Sequence, residues 1–248
     1  MKKQLKLFLL SLSFLTRMGP AMAADGASMS SACLYYPFVG LVLGCILTLP
    51  FYCGLLAGYP WLQAWLYLIF SAWLTRALHL DGVADLSDAL GSGKQGEAFF
   101  AILKDSRLGA FGAVGLFFCL GGQLLCLSAH FERLSLAPLL YAPLFGRSLP
   151  IVLSVIAPAH PDASLGKLLA NAPKNASLGL ALCAVFLGGL LCLPSIANLG
   201  LVLGLGAILL FWLARIAKHG GGYNGDFFGA AIAGGELAAL LGSLLPSA

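Results

Sequence analysis

Apolar residues in this chain come in long unbroken runs instead of alternating with polar ones. Seven runs, near 34–57, 61–78, 110–129, 135–157, 177–194, 198–216 and 228–246, each approach the roughly 20 residues with which an α-helix crosses a bilayer's hydrocarbon core. Lipid offers no partner to a free backbone N–H or C=O, so runs of this length predict helices. The expected fold is all-α: a polytopic integral membrane helix bundle with about seven spanning segments, one domain over 1–248. Ahead of it, Lys3 to Met18 reads as a short amphipathic helix at the interface, so 1–32 is expected to be an interfacial segment and loop. This start imitates a secretory signal, with Ala21-Met22-Ala23 resembling a cleavage site. Lys6 interrupts its apolar region and Arg17 falls where such peptides are uncharged, so it is expected to be retained.

Composition excludes an ordinary soluble domain: 60% of residues are hydrophobic, 10% are charged and the mean hydropathy is +0.93. The net charge of +4 is modest, and no nucleic-acid partner is expected. The placement of charge says more. With the N-terminus inside, Lys2, Lys3, Lys6, Arg17, Arg76, Lys94, Lys104, Arg107, Lys167, Lys174, Arg215 and Lys218 fall on inner regions or inner helix ends. Only Arg133 falls outside, and Arg147 lies within a span. Positive charge is retained on the cytoplasmic side, which predicts N-terminus in and C-terminus out. Glycines inside the spans, such as Gly112, Gly115, Gly121 and Gly122, read as packing positions. The seven cysteines show no C-x-x-C spacing and read likewise.

Against this apolar background, the connection 79–109 holds Asp81, Asp85, Asp88, Glu97 and Asp105, half of the ten acidic residues. Asp81, Asp85 and Asp88 are spaced by four and then three, which puts them on one face of a helix. Like charges so placed repel unless a cation lies between them, and Mg²⁺ held by a few carboxylates plus substrate phosphate answers that need. Asp105 offers a further ligand, and Arg107 a fork for phosphate. Lys104 and His79 flank the segment. The same topology brings in the glycine-rich turn around Asn224 and Asp226, where a carboxylate opens the last span. Arg147, deep in an apolar run, needs a polar cavity or a partner. Glu236 is either buried with a partner or part of that cavity.

The blocks His79-Leu80-Asp81-Gly82-Val83-Ala84-Asp85-Leu86-Ser87-Asp88-Ala89 and Lys104-Asp105-Ser106-Arg107-Leu108-Gly109-Ala110-Phe111-Gly112 resemble the cobalamin synthase family, the adenosylcobinamide-GDP ribazoletransferases. So do Phe14-Leu15-Thr16-Arg17, Tyr36-Pro37-Phe38-Val39-Gly40 and Gly225-Asp226. Asn224 departs from a threonine expected there. The resemblance implies an enzyme of the bacterial cytoplasmic (inner) membrane with a cytoplasm-facing active site. In its reaction, the 5′-hydroxyl of α-ribazole, or its 5′-phosphate form, attacks the phosphorus attached to cobinamide in adenosylcobinamide-GDP, and GMP leaves. It assigns Mg²⁺ to Asp81, Asp85 and Asp88, with Asp105 and Asp226 assisting. Catalysis falls to Asp81, Asp85, Asp88 and Asp105, one of them taking the proton. Substrate and phosphate fall to His79, Lys104, Arg107, Arg147 and Asn224. Association with membrane lipid is implied; association with other nucleotide-loop assembly enzymes or a second copy is left open. Two rivals share the carboxylate pattern: a CDP-alcohol phosphotransferase and a cation transporter with an acidic vestibule.

Overall fold

The computed structural model describes residues 2–105, 107–163 and 171–245. Ser106 of the second motif and Lys167, one of the basic residues used to orient the chain, lie outside them. Among the described residues the regular elements are helices, with one isolated bridge between Ala159 and Tyr223. The first are α1 (Lys2–Leu15), α2 (Gly26–Ala32) and α3 (Tyr36–Tyr52). Residues 26–32, expected as loop, are helical because the Asp25 side chain caps them, accepting from Ser28 N at 3.2 Å. A tight turn at Cys33–Tyr35 runs α2 into α3, so that Gly26–Tyr52 forms one apolar span.

Five more helices are long and apolar enough to cross a membrane: α7 (Ala110–Glu132), α8 (Ala137–Ile156), α9 (Lys174–Cys192), α10 (Ile196–Gly220) and α11 (Gly225–Leu244). The remaining expected run, 61–78, does not form one full-length span. It ends early as α4 (Pro60–Leu74), and the acidic segment follows as α5 (Leu78–Gly91) and α6 (Glu97–Leu103). Fifteen residues rise only about 22 Å, short of a hydrocarbon core of about 30 Å. The break is at Arg76 and Ala77, both left-handed at φ 56° and 54°, a region that side chains other than glycine enter at a cost. The guanidinium of Arg76 donates to Thr16 O at 3.2 Å, and Arg17 N donates to Leu74 O at 2.7 Å, so the end of α1 clamps the break.

Close approaches set the direction of each helix. Glycine removes the Cβ that would keep two backbones apart, which is how helices meet where lipid supplies no hydrophobic drive. A Cβ on Gly40 would lie 2.7 Å from Leu144 Cα and one on Gly44 3.0 Å from Leu140 Cα, so α3 and α8 run antiparallel in contact. Gly146 and Gly235 do the same for α8 and α11, with the imagined Cβ of Gly235 3.1 Å from Gly146 Cα. A Cβ on Gly121, expected as a packing position, would meet nothing within 4 Å, and the same holds for Gly200 and Gly204.

The prolines inside α8 do not end it. Pro143 has no N–H for the carbonyl of Leu139, and the Tyr67 hydroxyl supplies the missing donor at 3.0 Å. In consequence the starts of α3, α7, α9 and α11 share one end of the bundle with the finishes of α4, α8 and α10. The opposite end is tied by His130 Nε2, 3.1 Å from Leu240 O and 3.0 Å from the Ser243 hydroxyl.

If the α3–α8 seam rests on backbone contact, Gly44→Leu will lower the stability of the purified protein by about 1–3 kcal/mol or more. Thermal unfolding in detergent should show this, whereas Gly200→Leu, at a position open to its surroundings, should leave the midpoint unchanged.

Candidate active site

The carboxylate row is built by α5. Asp81, Asp85 and Asp88 lie on one face of it, as their spacing predicts. α5 reaches the row's other partners through glycine. A Cβ on Gly82 would lie 2.6 Å from Asp226 O, and one on Gly229 3.2 Å from Gly82 Cα, so α5 presses against the first turn of α11. This contact delivers Asp226 to the row from 138 residues or more along the chain. Asn224 caps α11: its Oδ1 accepts from Asp226 N at 3.1 Å and its Nδ2 donates to the Asp226 carboxylate at 2.6 Å. Asn224 thus positions Asp226.

Asp88 is also engaged. Its two oxygens accept from Gly109 N and Gly112 N, each at 2.8 Å, so it caps α7 from a neighbouring helix. Gly112 therefore does more than pack, since its N–H holds the end of the row. Gly91 makes room for the Phe111 ring. Asp105 is gripped by Arg107 in a fork of 2.6–3.2 Å, and this guanidinium holds the carboxyl down at about 2. For Arg107 to take a phosphate it must exchange one anion for another. Lys104, at the end of α6, is exposed.

Among the described residues Arg147 makes no hydrogen bond to the row. It is fully buried midway along α8 and pairs with Glu236 of α11. The helix continues past Pro150 to Ile156, so no break carries Arg147 to the surface. Its partner relieves the cost of a charge inside the bundle, which fits a brace between two helices.

Two cavities meet the row. At its outer end an open cleft of about 550 Å³ runs past Asp85, Asp88, Asp105 and Arg107. At its inner end a smaller cavity of about 230 Å³ lies between α1, α3, α5 and α11, where His79, Asp81 and Asp226 face Phe14, Tyr36 and Phe228. These aromatic walls escaped sequence reasoning, because nothing in an apolar run announces which member turns toward a polar site. His219 lies in a separate cavity between α6 and α10.

Among the described residues no three His, Cys, Asp or Glu side chains already stand close enough to hold a metal ion. Mg²⁺ does not need such a cage, since one or two carboxylates with water and substrate phosphate suffice. The electrostatics single out the carboxylates that fit. Asp85 is pushed up to about 7, first by burial and then by Asp226, Asp81 and Asp88. Crowded carboxylates of this kind are hard oxygen donors in want of a cation, and Asp81, Asp85 and Asp226 are the three not already spent on a helix cap or an arginine.

An apolar helical bundle with such a row at one end defines a multi-pass membrane protein with a carboxylate site between its helix ends. Residues 7–244 match the family described as cobalamin-5-phosphate synthase, and the chain belongs to that family. It is 43% identical over 233 residues to the adenosylcobinamide-GDP ribazoletransferase of Nitratidesulfovibrio vulgaris (strain DP4), covering 94% of this chain and 95% of the relative. The proteins of that name from Brevibacillus brevis and Vibrio cholerae are 34% and 31% identical, with 94% and 93% of this chain and 96% and 90% of each relative covered. No solved structure matches.

The raised Asp85 predicts a pH dependence. Its folded form binds the proton more tightly than the unfolded chain, so stability is fullest below the ordinary carboxylate range and falls as pH rises from about 4 through about 7. Melting in EDTA should show that fall in the parent protein and a shallower one in Asp85→Asn. An unchanged slope would assign the titration to another group.

Proposed function

We propose that this chain is an adenosylcobinamide-GDP ribazoletransferase and that the carboxylate row is where it acts. The single observation that carries this reading is the Gly82–Gly229 contact, which sets Asp226 beside Asp81 and Asp85 at a bundle end open to a cleft. Phosphoryl-type transfer asks a protein for positioning and charge neutralisation more than for covalent chemistry, and a crowded row of carboxylates is suited to gathering that charge. A hydroxyl oxygen of ribazole forms a bond to the phosphorus that carries cobinamide. The bond from that phosphorus to the GMP oxygen breaks, and the hydroxyl proton passes to a carboxylate of the row.

The 5-phosphate in the family's description argues against the 5′-hydroxyl as the nucleophile. A product that keeps a 5-phosphate has that oxygen already esterified, so a secondary ribose hydroxyl attacks. Mg²⁺ bound by Asp81, Asp85 and Asp226 would supply the positive charge that a diphosphate requires. Asp88 and Asp105 hold the outer wall of the cleft.

The carboxylates of the row stand at one end of the bundle and not midway through it, which favours phosphate chemistry over ion passage. The described Lys and Arg residues other than Arg133 and Arg147 also gather toward that end. By the positive-inside bias it is the cytoplasmic end of an inner-membrane protein with its N-terminus inside.

Membranes containing the chain, given adenosylcobinamide-GDP, ribazole and Mg²⁺, should release GMP and form the joined cobalamin. EDTA should stop the reaction. Asp85→Asn should lower turnover by about a hundredfold or more, as expected for loss of a group acting on the reacting atoms. Active turnover by that variant would remove Asp85 from the site.

A further inference from the structure

Two cavities at the two ends of one carboxylate row raise the question of which substrate each takes. We propose that the inner cavity is the nucleoside subsite, receiving the benzimidazole ring of ribazole, and that the outer cleft receives the nucleotide donor. The proposal rests on the transferase reading above and assigns its two substrates to places.

Size is the first argument. A space of about 230 Å³ is on the scale of a nucleoside and far too small for a corrin, while the outer cleft is larger and open. Lining is the second. Phe14, Tyr36, Phe228 and Ile232 make walls of apolar and aromatic surface, suited to a flat ring that offers little hydrogen bonding.

The third argument is an unmet polar atom. His79 is 6% exposed and its Nε2 has no hydrogen-bond partner among the described residues, although buried ring nitrogens are nearly always partnered. A benzimidazole nucleoside brings one free ring nitrogen and its ribose hydroxyls, enough to satisfy this atom. Guanine would bring several donors and acceptors along one edge, and apolar walls would leave most of them unpaired.

The fourth is the arrangement itself. Asp81 and Asp226 close the cavity on the side of the row, so a sugar whose base is seated against Phe14 and Tyr36 points its hydroxyls at the carboxylates. The nucleotide then lies along the row past Asp85 and Asp88. A hydroxyl arriving from one end, with GMP departing at the other, is the in-line order that displacement at phosphorus requires. The reading also gives α1 a task, since Phe14 and Leu15 form one wall of the cavity.

Equilibrium dialysis of radiolabelled ribazole against the full chain in nanodiscs, with Mg²⁺ and without donor, tests this. The parent protein should bind saturably. Ile232→Phe, which fills the cavity, should weaken binding about tenfold or more, and Phe14→Ala, at the edge of the bundle, by a smaller factor. The KM for adenosylcobinamide-GDP should stay within about twofold in Phe14→Ala, which separates loss of a subsite from loss of the fold. No ribazole binding by the parent, equal binding by Ile232→Phe, or a donor KM raised as much as ribazole affinity falls would each overturn the proposal. Dialysis needs no turnover. A parent protein that binds ribazole yet makes no GMP would refute the transferase reading and still support this cavity.

Discussion

Carboxylates from separate parts of a membrane chain can meet only where their helices touch backbone to backbone, and here α5 and α11 do so through Gly82 and Gly229. Everything chemical in the molecule follows from that contact. It places Asp226 beside Asp81 and Asp85, and their mutual repulsion with burial is what pushes Asp85 up to about 7. A Cβ at Gly82 would meet Asp226 O at 2.6 Å and force the helices apart, whereas one at Gly229 would meet its neighbours at 3.1–3.3 Å and ask them to give by a few tenths of an ångström.

The rest of the bundle holds that contact in register. α11 is fixed against α8 by Gly146 and Gly235 and by the buried pair of Arg147 and Glu236. α8 is fixed against α3 by Gly40 and Gly44, and Tyr67 of α4 covers the carbonyl that Pro143 exposes. At the outer end of the row Asp88 anchors the start of α7. One carboxylate of the row thus has a structural duty that Asp81 and Asp85 do not share. Such a division suits a site that must be rigid where it is built and electrically unsatisfied where it binds.

Much of this was legible beforehand, for identifiable reasons. Long apolar runs announce spanning helices because lipid leaves the backbone no other partner. The spacing of Asp81, Asp85 and Asp88 announces a shared face because a helix turns every 3.6 residues. Arg147 was legible as an anomaly but not as a brace: a lone charge in an apolar run demands a partner, and sequence spacing does not say which one. The split of the run 61–78 was also hidden, since hydropathy is blind to the left-handed turn at Arg76 and Ala77.

By itself the sequence determined the helical membrane class, the position of the acidic segment and the shared face of its carboxylates, because these depend on local composition and helical periodicity. Tertiary structure alone decided what each acid already bonds. Asp88 is tied to the start of α7, Asp105 to Arg107 and Asn224 to a cap, while Asp226 is brought to the row through a glycine contact. The aromatic cavity beside His79 likewise exists only because α1, α3, α5 and α11 converge there. Availability depends on what each oxygen already bonds, and those partners lie far apart in sequence, so no local pattern records them.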